Sequence, residues 1–600
     1  MTSPPSISPL RRLLPYYHRY KIPFWTGAFM LLFARALEGV IPLLLRDSVD
    51  AINATLPEVR SGLTAWFDAR EALFLPVIGI LISVVLRVLT MAHARRIIRR
   101  IAVHVAYDLR KRVYSHLQLQ GPAFFARNPT GDLMARAIND IGLVRELVGS
   151  GSRTILVNVT MIVVGLVCML ALAPTLTLLL LIPMIPIAIV GSWSGRQVFA
   201  RSMAVQKGFA ELSAKVQGNL NGIRTIQALV QEANEIRWFD VISNQYVDRF
   251  QALVRLNSFI SAVVPWMAAF SVVVVIGYGG SLVKSGDMSL GTFAAFFAYI
   301  GMVLWPISEL GNMVTIWQRG ASGTQRLFEV LDEAPDVVDD PDPTAPDVIQ
   351  GRIELRGLGF RYLEATRPAL SDLNVEIAKG ETLAIMGRVG AGKTTLLSCL
   401  VRLLDPPHGT LLIDGVDVRR YPLAQLRSQV VLVPQDPFLF AEMLRHNLSY
   451  DDPEREVERI WTTVDDVDLS ATVQELGQQL DTPIGERGVT LSGGQKQRSA
   501  LARGLIQDAS VLVLDDCLSA VDTRTEEHIL DRLFRVRAGR TTLLVTNRVS
   551  TARHADRILI LENGRLAECA SHDALVAGDG WYAHLARTQR LETPEAVAHS

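Results

Sequence analysis

The chain has 600 residues, which is too long for one ordinary domain, so at least two folding units are expected. Hydrophobic residues make up 49% of the sequence and are concentrated in its first half, which is unusual for a soluble protein. Basic and acidic residues both number 60, so bulk charge gives no reason to expect a nucleic-acid partner.

Six apolar stretches in the first half are long enough to cross a hydrocarbon core of about 30 Å. They lie at 22–45, 73–93, 154–173, 176–193, 258–280 and 290–310, and the fourth is the shortest. Some of them are almost purely apolar, which disfavours buried helices of a soluble protein. We therefore predict an all-α polytopic domain in a lipid bilayer.

Four ionisable residues fall within these stretches, namely Arg35, Glu38, Arg87 and Glu309. Arg35 and Glu38 are three residues apart and so share a helical face, where they can pair. Pairing between helices is favoured over a place on a substrate path, and both explanations stay open. Four aromatic residues either line an apolar cavity or pack between helices: Trp266, Phe296, Phe297 and Trp305.

Basic residues determine the predicted orientation, because segments rich in lysine and arginine stay in the cytoplasm. The tail before the first span is basic, as are the segments after the second and fourth spans, whereas the loop between the first two is acid-rich. Both termini are therefore predicted to be cytoplasmic, in a bacterial cytoplasmic (inner) membrane. Apolar residues at helical spacing in 109–117 and 212–229 predict that the spans continue inward as helical hairpins.

The composition changes abruptly at 332–350, where DEAPDVVDDPDPTAPDVIQ predicts a linker after a membrane domain at 1–331. Beyond it, short β-branched runs alternate with helical patterns. The runs TLAIM, VVLVP, VLVLD and TTLLVT are typical of a parallel sheet with crossover helices. They predict an α/β domain at 351–590, followed by a tail at 591–600.

A complete phosphate-binding loop follows the run TLAIM. Its sequence GRVGAGKTT comprises Gly387, Arg388, Val389, Gly390, Ala391, Gly392, Lys393, Thr394 and Thr395. Glycines let backbone amides turn toward phosphate oxygens, the lysine reaches the β and γ phosphates, and the first threonine offers its hydroxyl to magnesium. Asp515, at the end of VLVLD, is placed to hold that magnesium through water. The pair of motifs predicts binding of ATP and Mg²⁺ by a P-loop ATPase domain.

Between these motifs lies LSGGQ, which comprises Leu491, Ser492, Gly493, Gly494 and Gln495. Two glycines before a helix form an anion-binding N-terminus, and no second phosphate exists within one chain. The motif is therefore expected to face a nucleotide held by another subunit. LSGGQ between a Walker A loop and a Walker B strand resembles the ABC ATPase family, and the six preceding spans resemble its exporter branch.

The resemblance implies several further roles. Tyr362 matches the aromatic residue that stacks on adenine, and Gln435 matches the glutamine that senses the γ-phosphate and the membrane domain. Gln435 is also expected, with Thr394 and Asp515, at the magnesium ion. GERG at 485–488 resembles the stretch that touches the intracellular hairpins, and 129–141 and 219–229 resemble cytoplasmic coupling regions. The loop that crosses the dimer interface is matched by Ser519, Ala520, Val521 and Asp522.

Two positions depart from the family pattern. Where the family usually has a glutamate as general base, this chain has Asp516, whose carboxylate is one methylene further from the attacking water. Where the family usually has a histidine near the γ-phosphate, this chain has Asn547, which cannot carry a proton. Together they predict a site that binds ATP and hydrolyses it weakly.

An intact LSGGQ beside a weakened base resembles the degenerate-site subunit of heterodimeric multidrug exporters. The implied partner is a second half-transporter with an intact catalytic glutamate, and the implied substrate is a hydrophobic or amphipathic molecule, drug- or lipid-like, moved by alternating access. One alternative is a homodimeric exporter in which Asp516 still works as the base. Another is an ATP-regulated channel or regulatory subunit. The spans exclude the soluble ABC ATPases that act on DNA.

Overall fold

The computed structural model describes residues 9–55, 63–363, 365–485, 488 and 490–592. These residues form two compact units. The first contains the described parts of Met1–Gln118 and Pro129–Glu333, and the second contains Leu119–Asn128 together with the described part of Ala334–Ser600.

The first unit is helical throughout the part that the structure describes. In chain order its helices are α1 Leu14–Arg19, α2 Lys21–Thr55, α3 Leu63–Leu117, then, after α4 Pro122–Arg127 of the second unit, α5 Thr130–Ala135, α6 Ile141–Glu146, α7 Ser152–Leu172, α8 Pro174–Asn221, α9 Ile223–Ala228, α10 Glu232–Val274, α11 Gly280–Ser285 and α12 Leu290–Leu331. Turns of π-helix join α5 to α6, α6 to α7 and α10 to α11 without a break.

Four described helices are long and apolar enough to cross a membrane: Lys21–Asn53, Leu73–Leu117, Thr130–Leu172 and Glu232–Ser285. They contain the first, second, third and fifth predicted spans. The fourth and sixth predicted spans lie in α8 and α12, whose described apolar parts, Pro174–Pro183 and Leu290–Pro306, are shorter. All six stretches are thus helical, and four of them meet the length and composition that a span requires.

The predicted helical extensions are confirmed. α3 continues from the second span to Leu117, and α8 continues from the fourth to Asn221. α8 and α10 pack along each other as a hairpin, which is held by ion pairs of Arg249 with Glu211 at 2.8 Å and of Lys215 with Glu235.

Three of the ionisable residues within the spans form one partly buried group between α2 and α3. Arg87 Nη1 lies 2.8 Å from Glu38 Oε1, and Arg35 pairs with the other oxygen of the same carboxylate. This confirms structural pairing for these residues. Glu309 accepts a hydrogen bond from Asn312 at 3.3 Å. Phe296 is fully buried in helix packing, so it lines no cavity.

The second unit contains two sheets. Its strands are β1 Ile353–Phe360, β2 Leu370–Ile377, β3 Thr382–Met386, β4 Leu411–Ile413, β5 Val416–Asp417, β6 Val430–Val433, β7 Val511–Asp515, β8 Thr541–Val545, β9 Arg557–Glu562 and β10 Arg565–Ala570. Its helices after α4 are α13 Lys393–Leu400, α14 Leu423–Gln429, α15 Leu444–Leu448, α16 Val457–Asp466, α17 Ser470–Glu475, α18 Gly493–Leu505, α19 Thr523–Val536, α20 Val549–Ala552, α21 His572–Ala577 and α22 Trp581–Glu592.

The larger sheet has the order β10-β9-β3-β8-β7-β6, in which all strands except the edge strand β10 run parallel. Its strands β3, β6, β7 and β8 coincide with the four apolar runs, so the predicted parallel sheet is confirmed. The antiparallel sheet β2-β1-β4-β5 was not predicted. Its signal was the alternation of apolar and polar residues in β2, LSDLNVEI, where alternate side chains are buried.

The acidic segment predicted as a linker packs onto the second unit from residue 334 onward. Arg402, which is 1% exposed, donates to the carbonyl of Val338 at 2.9 Å and pairs with Asp405 at 2.9 Å. The carboxylate of Asp339 accepts from the backbone N–H of Leu423 at 2.6 Å. Because Arg402 is buried, this anchor is shielded from solvent.

Replacing Arg402 with methionine should destabilise the second unit, because several carbonyls lose their buried donor and Asp405 keeps only its longer contact with Arg419 at 3.3 Å. Loss of one partner of a buried pair costs about 3 kcal/mol or more. We expect a clear fall in the unfolding temperature of the full chain in detergent. Arg420→Met, which removes an exposed arginine from the same loop region, should leave it unchanged. Equal effects of the two substitutions would contradict the assignment.

Candidate functional site: an ATP site at the carboxyl edge of the sheet

Residues that lie far apart in sequence meet at one edge of the larger sheet. The phosphate loop 387–392 follows β3, Asp515 ends β7 and Asp516 comes directly after it, Gln435 follows β6 and Asn547 follows β8. These four strands are adjacent and parallel, so their carboxyl ends share an edge, which is where such sheets bind ligands. The sheet therefore brings the predicted loop, carboxylates, glutamine and asparagine together.

The phosphate loop depends on glycine at two positions. Gly387 and Gly392 have φ of +150° and +101°, in the region that side chains rarely adopt. A Cβ at Gly387 would collide with the carbonyl of Leu561, and one at Gly392 with the carbonyl of Ala369. The loop leads directly into α13, so backbone N–H groups and a helix N-terminus point the same way. This is the arrangement that holds a phosphate.

Lys393 closes over the loop. Its ammonium group donates to the carbonyls of Gly387 at 2.7 Å and Arg388 at 3.2 Å. Burial lowers the pKa of Lys393, and the carboxylates of Asp515 and Asp516 oppose that shift. A phosphate group would supply the negative charge that this half-buried ammonium group lacks.

Thr394 and Asp515 are placed to share a magnesium ion with a nucleotide. The hydroxyl of Thr394 donates to Asp515 Oδ2 at 3.2 Å. Burial raises the pKa of Asp515, while this hydrogen bond and Lys393 act in the other direction. Among the described residues no group of three His, Cys, Asp or Glu side chains could hold a metal. Magnesium here would therefore rely on phosphate oxygens and water for most of its ligands.

Asp516 has a left-handed backbone, with φ of +46°, and its N–H donates to the carbonyl of Val545 at 3.0 Å. Its carboxylate accepts a long hydrogen bond of 3.4 Å from the amide of Gln435, so this glutamine contacts Asp516 rather than Thr394 or Asp515. Burial raises the pKa of Asp516, and the neighbouring Asp515 raises it further. Burial thus disfavours the ionised form of both carboxylates in this centre, and a nearby cation would favour it.

Tyr362 and Asn547 both lie at the rim of the site. Tyr362 is 42% exposed, packs edge-on against Phe360, and its hydroxyl lies 3.1 Å from Thr395 Oγ1, next to the phosphate loop. Asn547 is exposed, and its backbone carbonyl accepts from Gln589 at 3.1 Å. An exposed aromatic ring beside the loop can receive a nucleobase, and no titratable nitrogen stands at position 547.

The signature LSGGQ forms the start of α18. Ser492 is the N-cap, its hydroxyl accepts from the N–H of Gln495 at 3.3 Å, and the Gln495 side chain accepts from the N–H of Ser492 at 2.8 Å. This reciprocal capping leaves Gly493 and Gly494 in the first turn. The N-terminus is thus rigid and positive, as an anion-binding motif requires.

The signature is tied to the loop Ser519–Asp522 by a residue that the sequence did not single out. Gln497 donates to the Ser519 hydroxyl at 3.0 Å and accepts from the N–H of Ala520 at 2.8 Å. Asp522 then caps α19 by accepting from the N–H of Thr525 at 3.0 Å, and this hydrogen bond lowers the pKa of Asp522. Hydrogen bonds therefore connect the two predicted interface segments.

Arg548 adds a second connection that sequence reasoning missed. Its guanidinium donates to the carbonyl of Ser519 at 3.0 Å and pairs with Glu526, a buried carboxylate that also accepts from Thr551. Arg548 directly follows Asn547, so it links the strand that carries position 547 to the predicted interface loop. A buried glutamate in a polar helix has no signal in the sequence.

Of the predicted coupling features, the GERG stretch is only partly described. Glu486 and Arg487 of the GERG stretch lie outside the described residues. The region 129–141 belongs to the first unit, whereas Leu119–Asn128, just before it, belongs to the second. Its helix α4 begins at Pro122 after Gly121 and buries Phe124. The Gly-Pro helix start was the signal that pointed to a separate short helix there.

An α/β unit with a phosphate loop, an acidic strand end and a glycine-rich signature, in one chain with long apolar helices, defines a membrane-bound ATPase. The family described as "ABC transporter transmembrane region" matches residues 24–307, and the family described as "ABC transporter" matches residues 370–519. The chain belongs to the ABC transporter family, with an exporter-type membrane domain and an ATP-hydrolysing domain.

Similar proteins match over nearly the whole chain. The probable multidrug resistance ABC transporter ATP-binding/permease protein YheI of Bacillus subtilis is 31% identical over 98% of this chain and 99% of its own. A putative multidrug export ATP-binding/permease protein of Staphylococcus aureus is 30% identical over 97% and 100%. The structure of a bacterial Atm1-family ABC exporter with ATP bound has the same fold, with a TM-score of 0.79, 24% identity and coverage of 95% and 98%.

Replacing Lys393 with alanine should weaken ATP binding at least about tenfold, because a charge-assisted contact to phosphate is lost. Binding of a fluorescent ATP analogue to the purified full chain measures this. Lys379→Ala removes an exposed lysine of the same unit that contacts Gln350, and it should bind the analogue normally. Unchanged binding in Lys393→Ala would contradict the site.

Replacing Asp516 with asparagine should stabilise the nucleotide-free protein. Because the folded-state pKa of Asp516 is raised, its ionised form costs stability at pH values above that pKa, and the cost vanishes once the pH falls below the unfolded value of about 3.9. We expect the unfolding temperature to rise by about 2–4 °C at pH 8 and the gain to shrink toward pH 4. Asp531→Asn, at an exposed position, is the control. A rise in unfolding temperature that does not depend on pH would contradict the raised pKa of Asp516 as its cause.

Proposed function

We propose that this chain exports hydrophobic or amphipathic, drug- or lipid-like molecules by alternating access, as one half of a heterodimer in which its own ATP site is degenerate. The observation that carries the proposal is the pair Asp516 and Asn547, which stand at adjacent strand ends in a chain whose signature is intact. The membrane is a bacterial cytoplasmic membrane with both termini inside, as the basic residues predict.

Weak ATP hydrolysis follows from the short side chain at position 516 and from the lack of a proton-carrying group at position 547. A glutamate at position 516 would extend about 1.5 Å further from the same backbone. The carboxylate of Asp516 instead accepts a long hydrogen bond from the side-chain amide of Gln435, with 3.4 Å between Nε2 and Oδ2. Asn547 offers an amide where proton transfer requires a titratable group. Loss of a positioned base costs about 10²- to 10⁴-fold in rate.

The intact signature is what favours two different subunits. In a head-to-tail pair each ATP lies between one subunit's phosphate loop and the other's signature. The signature of this chain is well formed, because Ser492 caps its helix and Gln497 donates a hydrogen bond to Ser519. It can therefore complete the ATP site of a partner. A homodimer would combine two such signatures with two weakened bases. A partner with a catalytic glutamate would complete one competent site.

An apolar cavity supports the substrate class. It has a volume of about 500 Å³ and lies between α8 and α10, lined by Pro183, Pro186, Trp266 and Phe270 among other apolar residues. The relatives from Bacillus subtilis and Staphylococcus aureus carry multidrug in their descriptions. For the nucleotide, Thr394, Asp515 and Gln435 are the residues we assign to magnesium.

One observation favours the homodimeric alternative. Burial and Asp515 raise the pKa of Asp516, and a carboxylate with a raised pKa is a better proton acceptor near neutral pH. A homodimer in which Asp516 is the working base would hydrolyse ATP without any partner. The ATP-regulated channel differs from both, because in vesicles it would let solute run downhill and build no gradient.

The test is purification of the tagged chain from its native membrane, followed by ATPase assays. We expect a second half-transporter to co-purify. Asp516→Ala in that complex should lower turnover less than twofold, whereas alanine at the partner's glutamate should abolish it. The double change Asp516→Glu with Asn547→His should raise turnover at this site, because it restores the reach and the proton carrier.

Asp531→Glu serves as the matched control, since it adds the same methylene at an exposed position. Recovery of the chain only with copies of itself, with robust turnover that Asp516→Ala abolishes, would establish the homodimer instead.

A further inference from the structure

A cavity of about 890 Å³ lies in the first unit between α3, α6 and α7, and its wall is unusually basic. Four arginines line it: Arg95, Arg99, Arg145 and Arg153. Glu146 is the one acidic residue in its lining. The four guanidinium groups give the cavity a net positive charge that Glu146 offsets only in part.

None of these four arginines forms an ion pair with a described residue. Arg95 forms only a weak contact, 3.5 Å from its Nη2 to Met91 Sδ. The positive charges of Arg95, Arg99 and Arg35 repel that of Arg153. Other arginines of the same unit are paired, such as Arg326 with Asp140. The four arginines repel one another, and Glu146 is the one carboxylate in the lining that opposes them. Because Arg95, Arg99 and Arg145 are exposed, they are accessible to a ligand that brings negative charge.

The remaining lining is largely apolar, with Ile98, Ala102, Val103, Ile138 and Leu143. A small inorganic anion would contact the arginines and leave this apolar surface without a partner. A molecule with a negative head and an apolar body would satisfy both parts of the wall.

The position of the cavity fits a loading site. Arg95 and Arg99 lie just beyond the predicted second span at 73–93, and Arg153 lies just before the third at 154–173. Both ends belong to the side that the basic residues assign to the cytoplasm. An amphiphile that enters from the cytoplasm or from the inner leaflet would present its head at this level.

We propose that this cavity binds the phosphate or carboxylate head of an anionic amphiphile, and that such amphiphiles are the substrate class of the exporter. The inference rests on the proposed export function and narrows it. Arginine suits the task because its planar fork can hold two oxygens of a phosphate or carboxylate at once, and it stays charged at all relevant pH values.

The experiment measures binding of radiolabelled dodecyl phosphate to the full-length protein, in the assembly in which it purifies, without ATP. The protein is placed in phosphatidylcholine nanodiscs, with empty nanodiscs as the blank. We expect Arg99→Gln and Arg153→Gln each to weaken binding about tenfold and Arg99→Lys to weaken it less. Arg100→Gln, an exposed arginine of α3 that does not line the cavity, is the control. Glu146→Gln should tighten binding.

Two sources of the anion are distinguished by the lipid. If phosphatidylglycerol in the nanodisc competes with dodecyl phosphate through the same arginines, the cavity binds the head of a membrane lipid. If phosphatidylglycerol does not compete, the cavity binds the head of a free amphiphile. Either result supports the site. Equal binding of dodecanol, equal loss with Arg100→Gln, or dissociation of the assembly by Arg153→Gln with unchanged binding would overturn it. Because no ATP is present, failure of the heterodimer proposal leaves this measurement intact.

Discussion

The ATP site depends on the parallel register of β3, β8, β7 and β6. Asp515 stands opposite Val545 in that register, and the N–H of Asp516 donates to the same Val545. This one pairing sets the position of the second carboxylate and, two residues later, of Asn547. The phosphate loop is fixed on the other side of β8 by the pairing of Ile385 with Val545. A shift of any strand by one residue would point its terminal side chain away from the nucleotide.

The charged groups at this edge are complementary to a nucleotide with its magnesium ion. Lys393 is half-buried on its own loop, and burial raises the pKa of both Asp515 and Asp516. Magnesium with ATP would bring a cation to the carboxylates and phosphates to the lysine. From there, Arg548 reaches Ser519, which Gln497 connects to the signature helix. Hydrogen bonds thus connect the edge of the sheet that binds the nucleotide with the segments predicted to face the partner.

Local motifs were predictable from the sequence, and long-range partners were not. The strands of the parallel sheet, the phosphate loop and the signature helix each carry a pattern within a few residues, and the structure has them. The partner of Arg548, the anchor formed by Arg402 and the grouping of 119–128 with the second unit depend on contacts between distant segments. Glu526 looks like a solvated residue of a polar helix until folding buries it. Pairing of Arg35 with Glu38 was visible at helical spacing, whereas Arg87 joined them only through packing.

The arginines of the first unit occur in two different electrostatic environments. Between α2 and α3 a single carboxylate, Glu38, pairs with two arginines, which offsets part of the cost of placing charge within a predicted span. Near the ends of two spans, four arginines share a cavity with one carboxylate, Glu146, and none of them forms an ion pair with a described residue. Arg95, Arg99 and Arg145 are exposed and Arg153 is partly buried, so solvent lowers the cost of leaving these charges unpaired but does not remove their mutual repulsion. The second environment persists where a ligand supplies the missing charge, so the contrast separates the residues that hold the helices together from those available to a substrate.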